Sequence, residues 1–157
     1  MDHELVAAGW LGVLDFPLMS TSLTRTVSFH ALHRYYRPEW SENRNREVFG
    51  VLADPPGHGH DYRCATTVSG ALSEWGTIVD LTLLDRILTE EVVTPLDGKH
   101  LNLDVPAFAY GRVLPTCEAL AVYLFPRIAA RLPAGVALDR VRIVEDATLY
   151  ADCTGLD

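Results

Sequence analysis

The clearest opportunity for chemistry in this chain is a pair of histidines one residue apart, His58 and His60 in the run Gly57-His58-Gly59-His60. A β-strand sends alternate side chains to one face, so both imidazoles point together if the run is extended. An earlier stretch, Thr24 to His33, places Phe29, Ala31 and His33 on one face by the same alternation. If the two stretches pair as antiparallel neighbours, three imidazoles converge on one point. Three neutral imidazoles with a fourth position open to water or substrate make a catalytic-type zinc site. Alone, an H-x-H pair reads equally well as chance on a solvated strand, so its surroundings must decide.

Those surroundings divide into recognisable elements. Residues 1–21 read as an N-terminal appendage whose apolar run, Leu5 to Leu14, fits a short helix or a strand. The remainder, 22–157, reads as one domain. Residues 22–33 are rich in Thr and Val and read as a strand. Residues 34–57 form a polar excursion ending in Pro55-Pro56-Gly57, with a helical turn around 42–48; a loop this long in a compact domain is usually functional. A second strand over 58–69 puts His58, His60, Tyr62, Cys64 and Thr66 on one face. Asp80 suits the N-cap of a helix over 81–93 with a Leu81, Leu84, Ile87, Leu88 stripe, ended by Pro95. Thr116 suits the cap of a second helix, 117–132, turning Leu120, Tyr123, Leu124 and Ile128 inward. Short strands follow over 138–145 and 148–153. This order predicts an α+β domain, a four-stranded antiparallel sheet with both helices on one face. Edge strands and an uncovered, apolar second face would then favour oligomerisation.

Composition narrows the class. With 157 residues, 48 % hydrophobic and 22 % charged, the chain has the make-up of one ordinary globular domain. A formal charge of −8 argues against nucleic acid or an anionic membrane as partner, since both call for a basic surface. Cys64, Cys117 and Cys153 are an odd set without C-x-x-C spacing, which fits reduced thiols in a cytoplasm. The acidic start Met1-Asp2-His3-Glu4 lacks a signal peptide's basic region, and no stretch is long enough to span a bilayer.

Phe29-His30-Ala31-Leu32-His33, Phe49-Gly50, Gly57-His58-Gly59-His60-Asp61-Tyr62, Pro95-Leu96-Asp97-Gly98-Lys99-His100-Leu101-Asn102, Asp104-Val105-Pro106, Pro115-Thr116-Cys117-Glu118 and Val144-Glu145 occur in a telling order. Together they resemble the 6-pyruvoyl-tetrahydropterin synthase and 6-carboxytetrahydropterin synthase family over about residues 22–153. The resemblance implies a tunnelling fold assembled into a barrel-like trimer or hexamer. It implies zinc held by His33, His58 and His60, and a pterin-like substrate whose ring is anchored by Glu145, with Thr116 and Glu118 beside it. A carboxylate suits that task because it accepts two hydrogen bonds from an amino-pyrimidine edge.

The sequence departs from that family at two places. The family's basic cysteine falls on Leu52 and the histidine of its Asp-His dyad falls on Gly98, leaving Asp97 without its partner. Asp97 is the first candidate for proton transfer. Asp54 is the second: it lies four residues before His58, although Asp54-Pro55-Pro56-Gly57 also reads as a turn that favours Asp at its first position. Cys64 shares the histidine face but is the kind of cysteine usually buried as a small apolar residue. His100 lies two residues from the missing histidine, His30 alternates away from the metal face, and His3 lies in the appendage. Two functional readings follow: a zinc-dependent lyase or cyclase with altered proton-transfer groups, or a catalytically silent homologue that binds a pterin or a partner protein.

Overall fold

The computed structural model describes residues 20–155. Residues 1–19, most of the expected appendage, lie outside the described part. Strand β1 (Ser22–His33) and strand β2 (His58–Gly70) pair antiparallel in unbroken register, with Phe29 opposite Tyr62, Ala31 opposite His60 and His33 opposite His58. β4 (Val136–Val144) pairs with β2, and β5 (Tyr150–Cys153) with β4, both antiparallel.

The sheet is nevertheless five-stranded and mixed, with a further short strand β3 (Lys99–His100) giving the order β3-β1-β2-β4-β5, and not the expected four-stranded antiparallel one. This extra strand runs parallel to β1 at Ala31 and Leu32. A two-residue strand has no periodicity to read. It is held instead by contacts distant in sequence: Gly98 N donates to the His30 carbonyl at 2.7 Å, and His30 N donates to the Asp97 carboxylate at 2.8 Å.

Helix α1 (Glu42–Phe49) lies within the excursion and is capped by Ser41, whose hydroxyl accepts from Arg44 N. Helix α2 (Leu81–Leu88) starts at Asp80, whose carboxylate accepts from Thr82 N at 2.8 Å. Pro95 does not end this helix. A π turn over Thr89–Val93 carries the chain into α3 (Thr94–Leu96), where proline occupies the first turn. Leu84, Ile87 and Leu88 are buried, whereas Leu81, the first residue of the expected stripe, stays exposed. Helix α4 (Leu101–Asp104) is a single turn, and α5 (Cys117–Ala129) buries Leu120, Ala121, Leu124 and Ile128.

One core joins these helices to the sheet face that carries Phe29, Ala31, Tyr62, Cys64, Val141 and Ile143. The opposite face lacks the expected apolar character. Thr24, Thr26, Ser28, His30, Asp61 and Arg63 stand exposed there, beside the half-buried Arg140 and Arg142. No helix among the described residues is long and apolar enough to cross a membrane.

Candidate metal centre

The core face of the sheet ends in polar residues. His33 closes β1 and His58 opens β2, so pairing sets them side by side, and His60 follows on the same face. Glu145 comes directly after β4, where its N–H donates to the Leu149 carbonyl at 3.0 Å as the chain turns towards β5. His33, His58, His60 and Glu145 each offer a ligand atom, and these atoms lie within 4.8 Å of one another. His33 Nε2 and His58 Nε2 are 2.9 Å apart, and His60 Nε2 is 3.1 Å from Glu145 Oε1. Gly57 makes the approach possible: its φ of +108° belongs to glycine, and a Cβ there would strike the His33 carbonyl.

The electrostatics favour ligands over acids. His33 is fully buried, and its Nδ1–H donates to the Pro115 carbonyl at 2.7 Å, which leaves Nε2 as a bare lone pair aimed into the cluster. Burial lowers the His33 pKa to about 4 against the pull of the Pro115 bond, and the neighbouring imidazoles of His58, His60 and His100 push the same way. His58 is lowered as well, by burial first and then by His60. Neutral imidazole is the form that binds metal. His60 Nε2 is buried with no hydrogen-bond partner, because its 3.1 Å approach to Glu145 is close but misaligned for a bond. An orphaned imidazole nitrogen beside a buried carboxylate is costly unless a cation lies between them. The donor set therefore fits a divalent metal of the zinc type.

The segment before α5 holds the cluster from behind. Pro115 binds His33, and the Cys117 thiol donates to Glu145 Oε2 at 2.9 Å. Burial pushes the Cys117 thiol far up, reinforced by its bond to Glu145. Tyr35 and Tyr62 pack edge-on to His33, and both phenols are raised, by burial first and then by Glu145. Sequence reasoning assigned no role to Cys117 or to either tyrosine. For Tyr62 a signal existed, its alternation with His58 and His60; Cys117 meets Glu145 only through a long-range contact.

The other singled-out residues sit as follows. The Thr116 hydroxyl caps α5 by accepting from Ala119 N at 3.2 Å, and the residue also lines a cleft of about 700 Å³ with Arg37 and Arg112. Glu118 is exposed in the first turn of that helix, near enough to Cys117 to oppose its ionisation. Asp97 is bound to the His30 amide on the β1 edge, and Asp54 accepts a two-pronged contact from Arg46 at 3.0 and 2.6 Å. His100 Nε2–H donates to the Pro56 carbonyl at 2.8 Å, and its buried Nδ1 has no partner. His30 turns to the open face, its Nδ1 2.9 Å from Asp61. Cys64 is fully buried, its thiol pushed up to about 11 by burial.

Fold and site define an α+β protein whose mixed sheet ends in a cluster of three histidines and one carboxylate, with His33 and Glu145 buried and His58 and His60 partly so. The profile of the family described as 6-pyruvoyl tetrahydropterin synthase matches residues 22–155. A 6-pyruvoyl tetrahydrobiopterin synthase of Poecilia reticulata is 40 % identical over 124 residues, covering 78 % of this chain and 82 % of that one. The Homo sapiens protein of the same name is 38 % identical, covering 78 % and 83 %. The solved 6-pyruvoyl tetrahydropterin synthase of Caenorhabditis elegans superposes with a TM-score of 0.80 at 26 % identity, covering 90 % of this chain and 99 % of its own. This chain belongs to the 6-pyruvoyl tetrahydropterin synthase family.

Proposed function

We propose that the chain is a zinc-dependent carbon–oxygen lyase of the cytoplasm acting on a pterin-like or related small heterocycle, with altered proton-transfer groups. The observation that carries this reading is the convergence of three imidazoles, with His33 and His58 held neutral by burial, on one buried carboxylate. His33, His58 and His60 would hold the zinc, which when bound supplies Lewis-acid polarisation of a substrate oxygen. The Pro115 carbonyl fixes the His33 tautomer, so Nε2 is offered without rearrangement. Glu145 would accept the amino-pyrimidine edge of the ring, with Thr116 and Glu118 beside it at the start of α5. Asp97 is the first proposed proton carrier and Asp54 the second, each after release from its present partner.

Catalytic silence is the second reading, favoured by Leu52 and Gly98 standing where the family resemblance places a cysteine and a histidine. One experiment separates the two: zinc-loaded protein is incubated with dihydroneopterin triphosphate, with product followed by chromatography and ligand affinity by calorimetry. Slow, zinc-dependent turnover is expected. Tight pterin binding with no product would establish the silent homologue, and neither binding nor turnover would remove pterins as its ligands.

A further inference from the structure

Glu145 stands in two relations at once. Its Oε1 is 3.1 Å from His60 Nε2 without a hydrogen bond between them, and its Oε2 accepts the Cys117 thiol proton at 2.9 Å. The carboxylate is 8 % exposed, and a buried charge of this kind needs a cation or several donors. The single thiol donor is a weak one. Oε1, His60 Nε2 and the bare Nε2 of His33 face one small volume together with His58. His33 Nε2 and His58 Nε2 share one hydrogen bond at 2.9 Å, but His60 Nε2 and Glu145 Oε1 are left close and unbonded, disposed as ligands of a common ion.

We propose that Glu145 is the fourth metal ligand of the resting protein, and that Cys117 is the positioning residue that holds it there through Oε2. The inference rests on the metal reading above and deepens it. Three histidines and a carboxylate would supply the four ligands of a structural-type zinc site, and the resting site would then be closed. Glu145 would then have to leave the metal in order to accept the heterocycle, so ring binding and exposure of the metal would be linked through this one carboxylate. A free fourth position, as the three-histidine reading implied, would exist only after that exchange.

Cobalt(II) in place of zinc gives an absorption spectrum that reports coordination, and azide is a probe that enters an open position. The full chain loaded with cobalt should bind azide at least ~10-fold more weakly than the Glu145→Ala and Glu145→Gln variants, a factor equivalent to about 1.4 kcal/mol. Cys117→Ala should fall between them, and Cys117→Ser, which restores a donor, should return towards the parent value. Equal azide affinity in the parent chain and both Glu145 variants would overturn the inference while leaving the metal reading intact. A thiolate-to-cobalt charge-transfer band lost in Cys117→Ala would make Cys117 itself a ligand and overturn its positioning role. Failure of the parent chain to hold cobalt or zinc at all would overturn the metal reading and this inference with it.

Discussion

His33 is the residue on which the site turns, because it is fully buried, neutral and committed to Pro115 through its other nitrogen. Its pKa falls from 6.5 to about 4 on folding, chiefly through burial. Above pH 6.5 the imidazole is neutral folded or unfolded, and the group leaves stability unchanged. Below that, the unfolded chain takes up the proton first, so stability falls as pH drops towards 4. The loss is on the order of 3 kcal/mol in metal-free protein. Urea titrations across that window should show the slope, and His33→Asn should flatten it; an unchanged slope would place the titration elsewhere. At Glu145, replacement by Ala should cost on the order of 2–4 kcal/mol in affinity for neopterin or biopterin. Unchanged affinity would mean that Glu145 takes no part in holding the ring. Leu52 and Gly98 bear on rate: a missing positioned acid–base group costs ~10²–10⁴-fold, and paired effects need not add. Turnover of dihydroneopterin triphosphate should therefore be far below that of an ordinary synthase. Leu52→Cys with Gly98→His should raise it, although Gly98 has φ +68°, where a side chain costs roughly 1–2 kcal/mol. No gain in rate from that pair would point to a pocket rebuilt for another substrate.

The elements hold these residues by two devices, a strand register and a helix start. The register depends on Gly57, which turns the chain into β2 directly against the His33 carbonyl. Gly57→Ala should destabilise the protein by on the order of 1–3 kcal/mol and loosen metal retention together, since the added Cβ displaces the strand end that carries His33. Thermal unfolding and chelator competition measure the two effects, and a loss of stability with metal retention intact would detach the turn from the site. The shared face was legible in the sequence because period-two alternation needs only residue order: His33, His58 and His60 lie together in any pairing that buries Phe29 and Tyr62. The register that sets His33 opposite His58 was not, since a two-residue slip keeps the same face. The helix caps were legible too, since Asp80 and Thr116 act on amides two and three residues ahead. Non-local features were not. β3 exists because Asp97 and Gly98 dock on His30, Pro95 is absorbed by a π turn no apolar stripe announces, and Cys117 finds Glu145 across 28 positions. Leu81 has the spacing of a core residue but sits in the first turn, beyond the edge of what the helix buries.

At the scale of the molecule, the sheet itself is unfinished. β1 pairs with β3 only at Ala31 and Leu32, so most of its outer edge lacks a strand neighbour among the described residues. β5 closes the other side with only four residues. Exposed edges of this kind invite pairing with further strands. The face between them is lined by hydroxyls and by charges of both signs, and its ion pairs, such as Arg142 with Asp152 at 2.7 Å, are partly internal to the sheet. Such a face suits a water-filled interior better than a dry one. We therefore expect copies to join edge to edge, β1 of one beside β5 of the next, closing a barrel with the helices outside and the polar face within. A trimer, or a hexamer of two trimers, is the expected assembly. Because edge pairing rests on backbone hydrogen bonds, it should survive raised ionic strength, which would weaken an assembly built on the face's charges. Light scattering at micromolar protein, in low salt and in 1 M salt, tests both statements. A monomer in low salt would reject the barrel, and an oligomer that falls apart only in high salt would move the interface from the edges to the charged face.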